Sequence, residues 1–133
     1  MPWLYPARMD TVRRLFALRE RLVPYLHGEM ERHRRIHDPL IFPVFLTEPD
    51  YDVESDCFFC GERALVCPVF DKGAGAVTVL LPHAGGRPAD EEGADLWLLR
   101  GAGAPIPGGS EVTVPCLPTD EPVWFTRPGP QPW

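Results

Sequence analysis

Apolar residues at Val12, Leu15, Phe16, Leu18, Leu22, Tyr25, Leu26 and Met30 recur with the three-to-four-residue rhythm of one helical face. Arg13, Arg14, Glu20, Arg21, Glu29, Arg32 and Arg35 fill the intervening positions. Asp10-Thr11 supplies a side-chain acceptor for a helix start. Pro24 removes one backbone donor and is expected to bend or interrupt the helix near Val23. His37-Asp38-Pro39 ends it, because a residue before proline avoids the α region. The next run, Pro39 to Leu46, is apolar on both faces and predicts a strand over Leu40–Leu46. Such a strand normally lies inside a parallel sheet covered on both sides, and this chain offers it no parallel neighbour.

Beyond Leu46 the pattern changes. Residues 47–56 are polar and carry five carboxylates, Glu48, Asp50, Asp52, Glu54 and Asp56. Short candidate strands follow at Ala64–Phe70, Ala76–Leu81, Leu96–Leu99, Glu111–Val114 and Val123–Thr126. Turn-forming residues separate them, including a hairpin-type turn at Gly73-Ala74-Gly75. Short strands with frequent turn signals predict a β-sandwich.

Composition adds an asymmetry. Of the 133 residues, 17 are proline, and most of these follow residue 67, between the apolar runs. Residues 1–37 hold eight arginines and four acids, a balance of +4, whereas residues 38–133 stand at -10. An acidic β portion argues against nucleic-acid binding, and the basic helix reads as a solvated face. No run reaches the roughly 18 apolar residues of a membrane span. The first residues lack a charged stretch followed by an apolar core, so no secretory signal is expected at this end. Four cysteines without such a signal point to reduced thiols and a cytoplasmic setting.

No residue cluster makes a convincing active site. Cys57-Phe58-Phe59-Cys60 is a single CxxC without the second knuckle of a structural zinc site or the βαβ context of a redox motif. These cysteines read as small buried residues. His33 and His37 share a helical spacing that could hold a metal, but Arg34 and Arg35 lie between them and repel a cation. They read as exposed histidines at the helix end. The carboxylates at 48–56 lack the calcium-loop pattern and its glycine. No cofactor and no metal are expected.

Read in order, the short motifs resemble glycoside hydrolase family 31, the α-glucosidase and α-xylosidase relatives. Pro2-Trp3 is similar to the end of a Glu-Pro-Trp motif, and Leu18 to Leu26 to an arginine–leucine helix closing on Pro-Tyr-Leu. Pro39 to Val44 is similar to Pro-Val-Met-Arg-Pro-Leu, followed by an acidic Pro/Asp turn at Glu48-Pro49-Asp50. Asp56 to Gly61 resembles Asp-Gln-Phe-Met-Leu-Gly, Ala64 to Val69 resembles Leu-Leu-Val-Ala-Pro-Val, and Val79 to Pro82 resembles Val-Tyr-Leu-Pro. Trp97 stands for a tryptophan that follows. Gly108 to Val114 and Pro122 to Gly129 resemble the closing segment. The chain departs from the pattern at Phe42, which replaces an arginine, at Val44, which replaces a leucine, and at His37-Asp38, where the family has glycine.

The resemblance implies an α+β arrangement. Residues 1–50 would be a kinked helix and one barrel-type strand, the end of a (β/α)8 barrel. Residues 51–133 would form an antiparallel β-sandwich. It implies the C-terminal part of a retaining α-glycosidase acting on O-glycosyl bonds, with the two catalytic aspartates on earlier barrel strands, outside this chain. No catalytic residue is therefore assigned. Glu48 and Asp50 would follow the C-terminal end of a barrel strand, the catalytic face of that fold, as candidates for the substrate rim. The partners implied are carbohydrate through the parent enzyme, and a barrel-bearing polypeptide or a second copy of the chain over the apolar run. The alternative is a stand-alone β-sandwich module binding carbohydrate or protein through Trp97, Trp124 and Trp133.

Overall fold

The computed structural model describes residues 6–51, 56–71, 73–83, 95–116 and 122–129. A 3-10 turn, Pro6–Arg8, leads into helix α1, Met9–Ile36. Arg8 caps it without a side-chain bond. Asp10 lies in the first turn, where its charge suits the helix dipole, and accepts from Arg13 at 2.9 Å. The helix runs through Pro24 without stopping. Pro24 and Glu20, whose carbonyl loses its partner, both lie on the exposed side, where water can satisfy that carbonyl. His37 closes the helix in the left-handed conformation (φ 60°) and donates its N–H to the His33 carbonyl. Glycine is the usual residue for that position.

The described β portion has two sheets. Six strands lie in the order β1-β2-β3-β8-β5-β6: β1 Ile41–Pro43, β2 Phe58–Cys60, β3 Ala64–Cys67, β8 Val123–Thr126, β5 Leu96–Leu99 and β6 Ile106–Pro107. The strands β4 (Ala76–Leu80) and β7 (Glu111–Pro115) form the second sheet. Every described strand pair is antiparallel. In the small sheet, Val77, Val79, Val112 and Val114 turn inward while Thr78 and Thr113 face out and share a 2.9 Å hydroxyl contact. The inward valines meet Phe59, Leu65, Cys67, Val123 and Phe125 of the large sheet in one core. An α+β fold, one helix followed by an antiparallel sandwich, is what the alternation and turn signals predict.

The apolar run at 40–46 differs from its expected form. Only Ile41–Pro43 is extended, and it pairs antiparallel with β2, a strand hidden in the sequence by the Cys-Phe-Phe-Cys motif. The chain then coils into a 3-10 turn, Val44–Leu46. β1 is an edge strand, and only one side of it is paired. Val44 is buried in the core, whereas Ile41 and Leu46 are each 60% exposed. Gly73-Ala74-Gly75 is a crossover between sheets, since β3 and β4 do not pair.

Helix α1 packs on the β2–β3 turn. Its inner face is Leu18, Tyr25 and His33. Tyr25 donates its hydroxyl to the Cys60 carbonyl at 2.7 Å, and the Glu62 backbone N–H donates to Glu29 Oε2 at 2.9 Å. Arg32 pairs with Glu62. Burial, then the Glu29 charge, push the Tyr25 hydroxyl above its ordinary range, so it remains a donor. Gly61 sits between, at φ +67°, and a Cβ there would collide with Glu29 and the Tyr25 hydroxyl. Gly61→Ala is expected to combine about 1–2 kcal/mol of left-handed backbone cost with loss of helix docking. Hydrogen exchange should speed up in α1 more than in β4 and β7; uniform protection would refute this docking role.

Candidate functional site

The segment joining the apolar run to the sandwich is built around Val44. Its carbonyl accepts from the N–H groups of Thr47 and Glu48 and from Thr47 Oγ1, each at 3.0 Å. A turn follows, closed by the Tyr51 N–H donating to the Glu48 carbonyl at 2.9 Å. Pro49 takes the second position, where its fixed φ suits a turn. Tyr51 is buried, and its hydroxyl donates to the Leu80 carbonyl at 2.5 Å. These bonds fix the two sequence-predicted rim residues, Glu48 and Asp50, in different surroundings.

Glu48 is half-buried and turns toward the sandwich. The His83 backbone N–H donates to its carboxylate, and the charges of His83, Asp95 and Arg127 act on it. Its Oε1 is buried and has no hydrogen-bond partner among the described residues. Burial, more than any neighbour, pushes this carboxyl above the ordinary carboxylate range. The folded chain therefore holds the Glu48 proton more tightly than the unfolded chain does. Its contribution to stability is complete below the unfolded value and falls as pH rises through the folded one. Asp50, by contrast, is exposed at the turn.

Trp97 is fully buried. It donates its indole N–H to the Pro82 carbonyl at 2.8 Å, and the buried Arg127 lies 4.5 Å over its ring. His83 Nδ1 and Asp95 Oδ2 are 3.3 Å apart. Glu48, His83, Asp95 and Arg127 thus form one polar group fed by distant parts of the sequence. Only Glu48 could be singled out from the sequence. His83 and Asp95 flank residues 84–94, and Arg127 carried no motif-level signal apart from the family-like Thr-Arg-Pro-Gly.

The other sequence candidates separate. Trp97 and Trp124 are buried, so neither offers a stacking face, contrary to the module reading; Trp133 lies outside the described residues. His33, expected on the surface, is 4% exposed. It borders a cavity of about 260 Å³ together with Asp38, Pro39, Phe42, Leu46, Thr47 and Glu62. Its Nε2 stands 3.6 Å from Glu29 Oε2, too long for a hydrogen bond. His37 is exposed at the helix end. All four cysteines are free, and Cys57, Cys67 and Cys116 are buried. Among the described residues no three His, Cys, Asp or Glu side chains group as metal ligands. No described helix is long and apolar enough to cross a membrane. Asp52, Glu54 and Ser55 lie outside the described residues.

The described residues thus form an α-helix docked on an antiparallel sandwich, with a polar junction around Glu48. No family model matches the chain. The chain is 33% identical to an α-xylosidase of Emericella nidulans over 103 residues, 74% of this chain and 12% of that protein. A solved GH31 α-xylosidase from a soil metagenome, complexed with xylose, aligns at TM-score 0.74 and 25% identity over 92% of this chain and 17% of that one. A cycloalternan-degrading enzyme from Trueperella pyogenes, complexed with cycloalternan, aligns at TM-score 0.74 and 25% identity over 91% and 15%. The chain thus resembles glycoside hydrolase family 31 enzymes over nearly its whole length, as a C-terminal part would. It spans about a tenth of the curated relatives it matches.

Proposed function

We propose that this chain is the C-terminal support portion of a retaining α-glycosidase that hydrolyses O-glycosyl bonds. Residues 1–50 contribute the last helix and strand of a (β/α)8 barrel, that strand also edging the large sheet as β1, and residues 51–133 form the rest of the sandwich. One observation carries the reading: α1 is apolar on two opposite faces. Leu18 and Tyr25 are buried, Tyr25 bonding to the Cys60 carbonyl of the sandwich, while Phe16, Val23 and Met30 are exposed. Residues two apart on a helix point about 200° away from each other. A helix apolar on opposite sides is made to lie between two layers, and the described residues supply one of them. Exposed Ile41, Phe45 and Leu46 extend the uncovered surface.

Retaining hydrolysis needs two carboxyl groups about 5 Å apart across the scissile bond. We assign that pair to the barrel, and carbohydrate contact to the assembled enzyme. Four free thiols suit a cytoplasmic setting. At the rim, Asp50 faces the substrate side, and Glu48 holds the turn against the sandwich. In the full-length protein, alanine at both Glu48 and Asp50 should raise KM; unchanged kinetics would end the rim assignment. The isolated chain should not turn over aryl α-glucosides or α-xylosides. Sustained hydrolysis by the purified chain, lost on substituting its own carboxylates, would overturn the support role.

A further inference from the structure

We propose that Cys57 and Cys67 form a thiol-oxidation site, closing a cross-strand disulfide inside the sandwich when the chain meets a low-molecular-weight disulfide. The β2–β3 register pairs Phe58 with Val66 and Phe59 with Leu65. Cys57 lies one residue before β2, and continuing the same register sets it opposite Cys67. Directly opposed residues in an antiparallel pair share a face and have Cα atoms about 4.5–5.5 Å apart, inside the 4.4–6.8 Å range of a disulfide. The burial pattern agrees. Cys57 and Phe59 on one strand, and Leu65 and Cys67 on the other, all face the core.

The CxxC partner is ruled out by the same geometry. Cys57 and Cys60 are three residues apart along an extended segment, about 10 Å at 3.3 Å per residue, and Cys60 turns to the opposite face. The Cys57 side chain lies close enough to that of Cys67 to act on its titration. That interaction, then burial, push the Cys67 thiol well above its ordinary range, and Cys57, the less deeply buried of the two, is taken as the first to react. The Cys57 thiolate displaces one thiolate from the small disulfide and forms a mixed disulfide. Cys67 then loses its proton and displaces the second. Two S–H bonds are lost and one S–S bond forms in the protein, while two electrons and two protons leave with the small disulfide as two thiols. The product staples the hairpin whose turn holds α1, and it requires no change of register.

The test uses the wild-type chain, incubated folded with oxidised glutathione, blocked with an alkylating agent and digested without reduction. Mass spectrometry should find a Cys57–Cys67 linked peptide, lighter than the two thiols by two hydrogens, with Cys60 and Cys116 alkylated. The thermal midpoint should rise by several degrees and fall back on adding dithiothreitol. The urea-unfolded chain, where proximity alone decides, should give a different set that includes Cys57–Cys60. Four alkylated cysteines in the folded chain, or a Cys57–Cys60 link there, would overturn the proposal. Cys60→Ala should leave the link intact; its loss in that variant would count equally against it.

Discussion

Replacing Trp97 with alanine is expected to cost about 3–5 kcal/mol, the range for emptying a large core site. Small domains are stable by only about 5–15 kcal/mol, so this change should leave much of the chain unfolded at ambient temperature. Three losses coincide. The ring leaves a core in which it neighbours Phe59 at 6.1 Å between centroids. The Pro82 carbonyl loses its indole donor. Arg127, 4% exposed, loses the ring face over which its charge lies. Trp97→Phe keeps an aromatic ring in the core but removes the donor and some volume; about 1–3 kcal/mol is expected for the unpaired carbonyl, with a smaller cavity cost added. Urea titration followed by circular dichroism measures both. A Trp97→Ala chain as stable as the wild type would mean that the junction around Glu48 does not hold the sandwich.

Much of the fold could be read from alternation. β4 and β7 show inward valines between outward threonines, and each lies within a residue of its expected bounds. The helix was legible because apolar residues recur from Val12 to Met30, about five turns at 3.6 residues each. Of its second stripe, Phe16 and Met30 were merged with the first and Val23 was passed over beside the expected bend at Pro24, because a list of apolar positions does not say which layer each faces. β2 was missed because Phe58-Phe59 between two cysteines carries no period. β6 was missed because Ile106–Pro107 is two residues long and ends in proline. The strand expected at 40–46 was too long: Pro43 has no N–H to offer a ladder, and Val44 turns into the core instead of continuing it. At the site, Glu48 could be named, but His83, Asp95 and Arg127 reach it only through strand order, which no local pattern encodes.

The second large effect concerns association. Phe16 and Met30 are each 57% exposed, and Val23 lies between them at heptad spacing. With Leu15, Ile41, Phe45 and Leu46 they make an uncovered apolar surface of a kind that monomeric proteins keep small. The purified chain should therefore self-associate. Replacing Phe16, Val23 and Met30 together with glutamine should release monomers with little loss of stability, because these side chains lie away from the sandwich core. By contrast, glutamine at Leu18 or Tyr25, on the docked face, should unfold the helix from the sheet. If the two faces responded alike, the helix would have a single layer to pack on, and the two-layer reading would fail.

Sedimentation velocity of the wild-type chain beside the Phe16→Gln, Val23→Gln, Met30→Gln variant over a range of concentrations tests the incomplete-enzyme account most directly. It predicts concentration-dependent assemblies for the wild type and a compact monomer for the variant, with matching thermal midpoints. A wild-type chain that stays a soluble, compact monomer at every concentration would contradict it, because no layer would then be missing.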